Sequence, residues 1–533
     1  MRSLWHAAVD GVLRFGRSMS IGSVCSFTSQ SPSVMYLIRS MLHRRKMSTT
    51  VRVVSALTAV SLVAAGCGTS SDDAAPSSTA AGSSSKAAPS SVDRPAPAGA
   101  ADDAGATEKA RALADAVTLD GAVKHLEAFQ DIANRNGGNR ALGSPGYEQS
   151  VEYAEKVLRD AGYTPQRQEF STSVWSASRV DVQAGGAPVK AAALSFSGAT
   201  EGTVTAKAVV TGKRGCTAAD LEKVTAGSIA VVQRGDCTFG DKYKTAAAKG
   251  AKALVITNNQ AGDWKGGTLG LDDGASIAVV GVAQDAPIAD GQDLTLTVDA
   301  KTEKAKTWNI LAETTKGDDG SVQMVGAHLD GVTEGPGIND NGTGSAAVLE
   351  TAAKLGANAD VKNKVRFALW GAEEEGLVGS EHYVTALSED QASKIKRYLN
   401  FDMLGSPNGG YFTFDGDGSS KLEGGAGPAG SGVIEQVFRN YFAWRGVPVE
   451  ASAFDGRSDY GPFKEVGIAS GGMDTGADGT KTQEQQRQWG GTVGEIFDPN
   501  YHSPRDTIEN VNRDMYRVSL GSVGWSTAYF AAL

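Results

Sequence analysis

The sequence predicts an α/β unit, built on a mostly parallel mixed sheet sandwiched by helices, with a β-rich module inserted into it. Three observations carry this expectation. From Thr307 onward, apolar runs of strand length ("TWNILAET", "VQMVGAHL", "KVRFALWG", "RYLNFDMLG") alternate with stretches of helical spacing such as "GSAAVLETAAKLG" and "SEHYVTALS". That alternation is the pattern of strands joined by crossover helices. Between about residues 181 and 303 the chain instead shows short Val/Ala/Thr runs broken by glycines, and "GSIAVVQRGDCTFGDKYKTAAAKGAKALVITNN" reads as strand, loop, amphipathic helix and then the strand "ALVIT", as in small β modules. Ahead of them, "HLEAFQDIANRN" and "YEQSVEYAEKVLRDAGY" space their apolar residues for helices, the second closed by a glycine stop signal.

The 533 residues exceed what one core ordinarily fills, so more than one domain is expected. Residues 1–67 read as a leader: eight of the 51 Lys/Arg and a single acid fall there, and an apolar run from about Val53 to Ala65 precedes Cys67. That run is too short to span a bilayer as a permanent helix. "VAAGC" resembles the lipobox of bacterial lipoproteins, in which the cysteine is lipidated and becomes the mature N-terminus; a plain secretory signal is the alternative. Met41 and Met47 are candidate translation starts inside this leader. Residues 68–107 lack aromatics, Leu and Ile and read as a disordered tether. The expected plan is therefore a main α/β domain that starts over 108–180, is interrupted by the insert over 181–303 and resumes over 304–533. Beyond the leader the chain carries 43 bases against 60 acids, an acidic body that argues against nucleic acid as a partner. Of the four cysteines, Cys25 falls in the leader and Cys67 at the lipid anchor. The remaining Cys216 and Cys237 most simply pair with each other in an exported protein.

The residues able to do chemistry fall at the ends of the expected strands, where open α/β sheets place their sites. "MVGAHLD" ends with His328 and Asp330, and "GPGINDNGTGS" holds Asp340 in a glycine-rich loop. "FALWGAEEE" delivers Glu373, Glu374 and Glu375, "LNFDMLG" delivers Asp402, and "FDPNYHSPRDT" delivers Tyr501 and His502. The three adjacent glutamates repel one another unless water or a cation screens them. Read alone, they fit a helix first turn, where acids favour the dipole. Two imidazoles with three carboxylates, however, make a ligand set suited to Zn²⁺, with Mn²⁺ or Co²⁺ as alternatives.

With these motifs in view, the chain resembles the co-catalytic dizinc leucyl-type aminopeptidases, a family of secreted exopeptidases. The resemblance rests on "GNRALGSPGY", "GAHLD", "GPGINDNGTGSAAVLE", "FALWGAEEEGLVGS", "NFDMLG", "GRSDYGPF" and "YHSPRDT", in that order. Separately, "GSIAVVQRGDCTFGDKYKTAAAKGA" resembles the protease-associated (PA) domain and supports the Cys216–Cys237 bond. The resemblance implies a zinc-exopeptidase fold in which His328 and Asp402 hold one Zn²⁺, Glu374 and His502 hold the other, and Asp340 bridges both. It implies Asp330 behind His328 as the carboxylate that fixes the imidazole tautomer, Glu373 as the general base for a two-metal-activated water, Tyr501 as an oxyanion donor and Arg457 near the substrate carbonyl, and it leaves Glu375 unassigned and facing water. It makes Asp340–Asn341 a candidate cis peptide. Substrates would be peptides with a free, apolar N-terminal residue. A monomer tethered through Cys67 to the outer face of the cytoplasmic membrane, or released from it, is expected. A carboxypeptidase or cyclase on the same metal scaffold, and a non-catalytic binding lipoprotein, are the competing readings.

Overall fold

The computed structural model describes residues 104–533 except 265, 271 and 272; the leader and Cys67 lie outside the described residues. Three helices open it: α1 (Ala104–Ala116), α2 (Leu119–Arg135) and α3 (Pro145–Asp160). Residues 104–107, expected as the end of the tether, are already helical. Ala106 and Ala110 are small enough to bury against the C-terminal helix in the main core, so packing rather than bulk hydrophobicity orders this stretch. The side chains of Thr118 and Ser144 cap α2 and α3 by accepting backbone N–H groups, and Pro145 sits where a missing donor costs nothing.

The chain then enters β1 (Gln166–Ala184), the short strands β2 (Ala187–Val189) and β3 (Ala191–Ala193), β4 (Val204–Val210), β5 (Ile229–Gln233), helix α4 (Phe239–Ala248), β6 (Ala253–Thr257), β7 (Ala278–Val282) and β8 (Asp293–Glu313). β1 and β8 form one long antiparallel ribbon, from Gln166 opposite Leu311 to Ala184 opposite Leu294. β8 pairs with β4 at its start and with β10 (Asn363–Trp370) at its end. Positions 181 and 303, where composition places the edges of the insert, therefore lie inside continuous strands. A ladder shared by both units leaves no compositional break at its crossing. Within the insert β4, β5, β6 and β7 pair parallel with one another in that order, flanked by antiparallel β8 and β3, and Cys216 and Cys237 are joined as a disulfide.

The remaining elements are β9 (Asp318–His328), α5 (Gly344–Leu355), α6 (Val378–Ala386), α7 (Glu389–Lys394), β11 (Ile395–Phe401), β12 (Phe412–Phe414), α8 (Ser431–Arg445), β13 (Glu450–Ser452), α9 (Tyr460–Glu465), β14 (Ser470–Asp474), α10 (Gln483–Trp489) and α11 (Arg513–Ala532). The sheet order here is β13-β12-β14-β11-β9-β10-β8, with parallel pairing across β14, β11, β9 and β10. Both faces are covered, as the two-residue period of the strands shows. Val325 and Ala327 of β9, with Phe367 and Leu369 of β10, join the core built by α2, α5 and α11. Val322, Met324, Ala368 and Trp370 face the opposite core of Tyr383, Tyr398 and Phe463. No helix of the described residues is long and apolar enough to cross a membrane.

Candidate active site

Parallel register aligns the carboxyl ends of three neighbouring strands. Trp370 is paired with His328, and Asn400, two residues before Asp402, is paired with Gly326. The loops after β9, β10 and β11 therefore emerge side by side. His328 is the last residue of β9 and is fully buried. Its Nε2 lies 3.3 Å from Asp340 Oδ1 and 3.4 Å from Asp402 Oδ1. His502 Nε2 lies 3.1 Å from Asp340 Oδ2 and 3.0 Å from Glu374 Oε2. Asp340 thus offers a different oxygen to each histidine. Ligand-capable atoms of His328, Asp340 and Glu374 fall within 4.8 Å of one another, as do those of His328, Glu373 and Asp402.

The electrostatics of this group ask for added positive charge. Burial opposes a charged His328, yet Glu373, Asp402 and Asp340 hold its imidazole well above the usual pKa. Burial opposes charge on His502 too, but hydrogen bonds to Asp340 and Glu374 lift it to about 11. Burial, then the neighbouring Asp340 carboxylate, pushes Glu374 up to about 7. Glu373 is raised well above its range chiefly by burial, with Glu374 and Asp459 adding like charge. Glu374 Oε1 and Asp402 Oδ1 are buried without a protein hydrogen-bond partner, and unsatisfied buried oxygens are costly. Nitrogen and oxygen donors with open lone pairs, in a pocket that draws cations, fit zinc. A third acidic group, Asp415, Asp417 and Glu435, is instead satisfied internally: Asp415 accepts from the Ser420 N–H and Glu435 from Arg439 Nε.

The loops are held by side chains that reach across them. Asn341 follows a cis Asp340–Asn341 peptide. It donates from Nδ2 to the Phe401 carbonyl at 2.9 Å, and its Oδ1 accepts from the N–H groups of Gly344 and Met403. This ties the Asp340 loop to the strand end carrying Asp402. Ser458 donates to Asp402 Oδ2 at 2.7 Å, so the unpartnered Oδ1 is the oxygen left facing His328. The buried Arg140 guanidinium donates to the carbonyls of Leu329, Pro336 and Gly337, bracing the loop between His328 and Asp340. Backbone strain gathers here as well. Ala372 (φ 61°), Met403 (φ 54°) and His502 (φ 50°) are non-glycine residues in the left-handed region, and each is a candidate ligand or lies one or two residues from one. Such positions cost on the order of 1–3 kcal/mol and persist where the surroundings enforce them.

Asp330 contacts His328 in a different way from the one expected. The imidazole Nδ1 donates to the main-chain carbonyl of Asp330 at 3.1 Å, while the carboxylate Oδ1 lies 3.9 Å away. The carboxylate instead accepts the N–H groups of Glu373 and Glu374 at 3.2 and 3.3 Å. One residue thereby sets the histidine tautomer with its backbone and seats both glutamates with its side chain. Glu375 is half-buried rather than open to water, and burial with the Asp330 and Glu374 charges lifts it to about 7. Tyr501 stacks on the His502 ring at 3.8 Å between centroids. Burial, then Asp340 and Glu374, raises its pKa strongly and keeps the phenol protonated. Arg457 is not drawn into the group: its guanidinium is largely exposed and pairs with Asp478 at 3.3 Å. Arg140, Asn341 and Ser458 lie within motifs that the sequence displays, but nothing in their spacing tells which loop each one reaches.

The family model described as Peptidase family M28 matches residues 309–521, and the PA domain model matches residues 202–289. The probable lipoprotein aminopeptidase LpqL of Mycobacterium tuberculosis is 44% identical over 430 residues, covering 79% of this chain and 86% of that protein. An aminopeptidase structure from Aneurinibacillus sp. strain AM-1 shares 26% identity with a TM-score of 0.64, covering 79% of this chain and 96% of its own. BSAP, a zinc aminopeptidase from Bacillus subtilis, shares 25% identity with a TM-score of 0.58, over 77% of this chain and 94% of its own. The extent of these matches, over the same loops that gather the histidines and carboxylates, establishes that the chain belongs to peptidase family M28 as a metallo-aminopeptidase with an inserted PA domain.

Proposed function

We propose that this M28 enzyme is an exported two-metal aminopeptidase that removes apolar residues from the free N-termini of peptides. The observation that carries the two-metal reading is Asp340, whose two oxygens face His328 and His502 separately. His328 and Asp402 would hold one Zn²⁺, Glu374 and His502 the other, and Asp340 both. Bound zinc supplies Lewis acidity there, polarising a carbonyl and lowering the pKa of water. Glu373, seated by Asp330, takes the proton of the attacking water and delivers it to the leaving amine. Tyr501, kept as a phenol by burial and surrounding charge, donates to the oxygen that becomes negative as the carbonyl is attacked. Surplus carboxylate around the site suits the α-ammonium of a free N-terminus, which a carboxypeptidase would not require. Apolar preference rests on the resemblance to leucyl-type enzymes. Export, anchoring through Cys67 and a monomeric state complete the reading. The likeness to a relative named as a lipoprotein supports the anchor.

The test is hydrolysis of a leucyl arylamide by purified protein before and after chelation, with zinc added back, beside an N-acetylated substrate. Chelation should abolish turnover, zinc should restore it, and the blocked substrate should remain intact. Zinc-independent turnover would overturn the metal mechanism. Cleavage of the blocked peptide, or cyclisation of an N-terminal glutamine without hydrolysis, would favour the carboxypeptidase or cyclase reading.

A further inference from the structure

His502 and Tyr501 sit on a segment without strand or helix, between Phe497 and the short 3-10 turn at Ile508–Asn510. No sheet ladder holds them against Asp340, which lies more than 160 residues earlier in the chain. Two buried carboxylates bracket this segment: Asp498, four residues before His502, and Asp506, four after it. Asp506 receives three successive N–H groups. Its carbonyl accepts from Ile338 at 3.2 Å, its Oδ1 from Asn339 at 2.7 Å and its Oδ2 from Asp340 at 3.0 Å. Asp498 Oδ2 accepts from the Asn339 side-chain amide at 2.6 Å, while its Oδ1 holds the Asn500 N–H of its own loop. The two backbones also touch directly. A Cβ on Gly335 would lie 2.1 Å from the Ser503 carbonyl oxygen, so only glycine admits this approach. Neither Asp498 nor Asp506 belongs to the candidate ligand groups.

We propose that Asp506, supported by Asp498, is a positioning residue that fixes His502 against Asp340 and so sets how tightly the Glu374–His502 pair holds its cation. The physical basis is geometric: the carbonyl and both side-chain oxygens of Asp506 each take one N–H of three consecutive residues, the last on the main chain of Asp340 itself. Changing His502 relative to Asp340 moves one metal pair and leaves His328 and Asp402, held by β9, Asn341 and Ser458, in place. The inference rests on the two-metal reading above.

The experiment is a zinc competition titration of the full-length protein against a chromophoric chelator, for the wild type, Asp506→Asn and Asp498→Asn, with kcat and KM measured at limiting and excess zinc. Asparagine keeps the size but replaces one acceptor oxygen with a donor that faces a backbone N–H. In Asp506→Asn one zinc equivalent should keep wild-type affinity while the other weakens about 10–100-fold. kcat should fall at limiting zinc, recover at excess zinc and leave KM little changed. Asp498→Asn should weaken the same equivalent by a smaller factor, and it decides the matter alone if Asp506→Asn does not fold. Wild-type affinity for both equivalents in the variants, or equal weakening of both, would overturn the positioning role. Fewer than two equivalents in the wild type would overturn the two-metal reading and this inference with it.

Discussion

Gly371 joins β10 to the glutamates, and replacing it with alanine puts a single methyl group at the most crowded point of that junction. The added Cβ would lie 2.0 Å from the Tyr147 hydroxyl, 2.7 Å from the Trp308 carbonyl oxygen and 3.0 Å from Thr307 Oγ1. Gly371 is absent from the positive-φ residues, so space rather than backbone conformation requires glycine here. Tyr147 is 1% exposed and donates to the Trp308 carbonyl at 2.7 Å. Overpacking costs about 1–3 kcal/mol, and breaking that buried hydrogen bond costs about 1–3 kcal/mol more. Against this stands a gain of about 0.4–1 kcal/mol from a stiffer unfolded chain. The net expectation is a loss of about 2–5 kcal/mol in denaturant unfolding. If the loop gives way instead, stability is spared but Glu373 moves, and a displacement of about 1 Å costs on the order of 100-fold in kcat. Gly376→Ala is the comparison: its φ of 102° strains the backbone, but nothing lies within 4 Å, so about 1 kcal/mol is expected. Gly371→Ala protein with wild-type stability and wild-type kcat would refute the crowding argument.

Glu373→Gln should lower kcat by about 10²–10⁴-fold while zinc content is unchanged, checked by metal analysis beside steady-state kinetics; zinc lost in step with activity would assign Glu373 to the ligands instead. Removing the bond between Cys216 and Cys237, 21 residues apart, with a double serine variant should destabilise the insert by about 3 kcal/mol on loop-closure grounds, read as an earlier unfolding transition in calorimetry. An unshifted transition would count against it. Phe170 of β1 packs on Ala372 beside Leu142 and stacks with His382 at 4.8 Å. Phe170→Ala should cost about 3–5 kcal/mol and lower kcat by loosening the residue next to Glu373. A loss of stability with kcat intact would show that the ribbon supports the fold without reaching the catalytic loop.

The residues of the site were legible because their chemistry is unusual for the places they occupy. His328, Glu374 and Asp402 are polar groups at or just past the ends of apolar strands, Asp340 and His502 sit in the connecting segments, and two imidazoles among acids point to a transition metal from residue types alone. The strand ALVIT and the amphipathic stretch before it were equally legible, and they are β6 and α4. The ribbon was not. Composition changes near 181 and 303, but hydrogen bonding between β1 and β8 continues through both positions. The role of Asp330 was half legible: its place beside His328 was visible, while the destination of its carboxylate, 43 and 44 residues away at Glu373 and Glu374, was not.

The amino-acid sequence carries the inventory: a zinc-type donor set in chain order, an α/β scaffold to present it, and an inserted β module stapled by one cystine. Folding in three dimensions settles which oxygen of Asp340 faces which histidine, which carboxylates serve the backbone instead of the cluster, and why glycine stands at 371. Donor and acceptor types are local properties of residues. Their pairing depends on parallel register and on loops closing over separations such as the 166 residues between Asp340 and Asp506, and no local pattern encodes that closure.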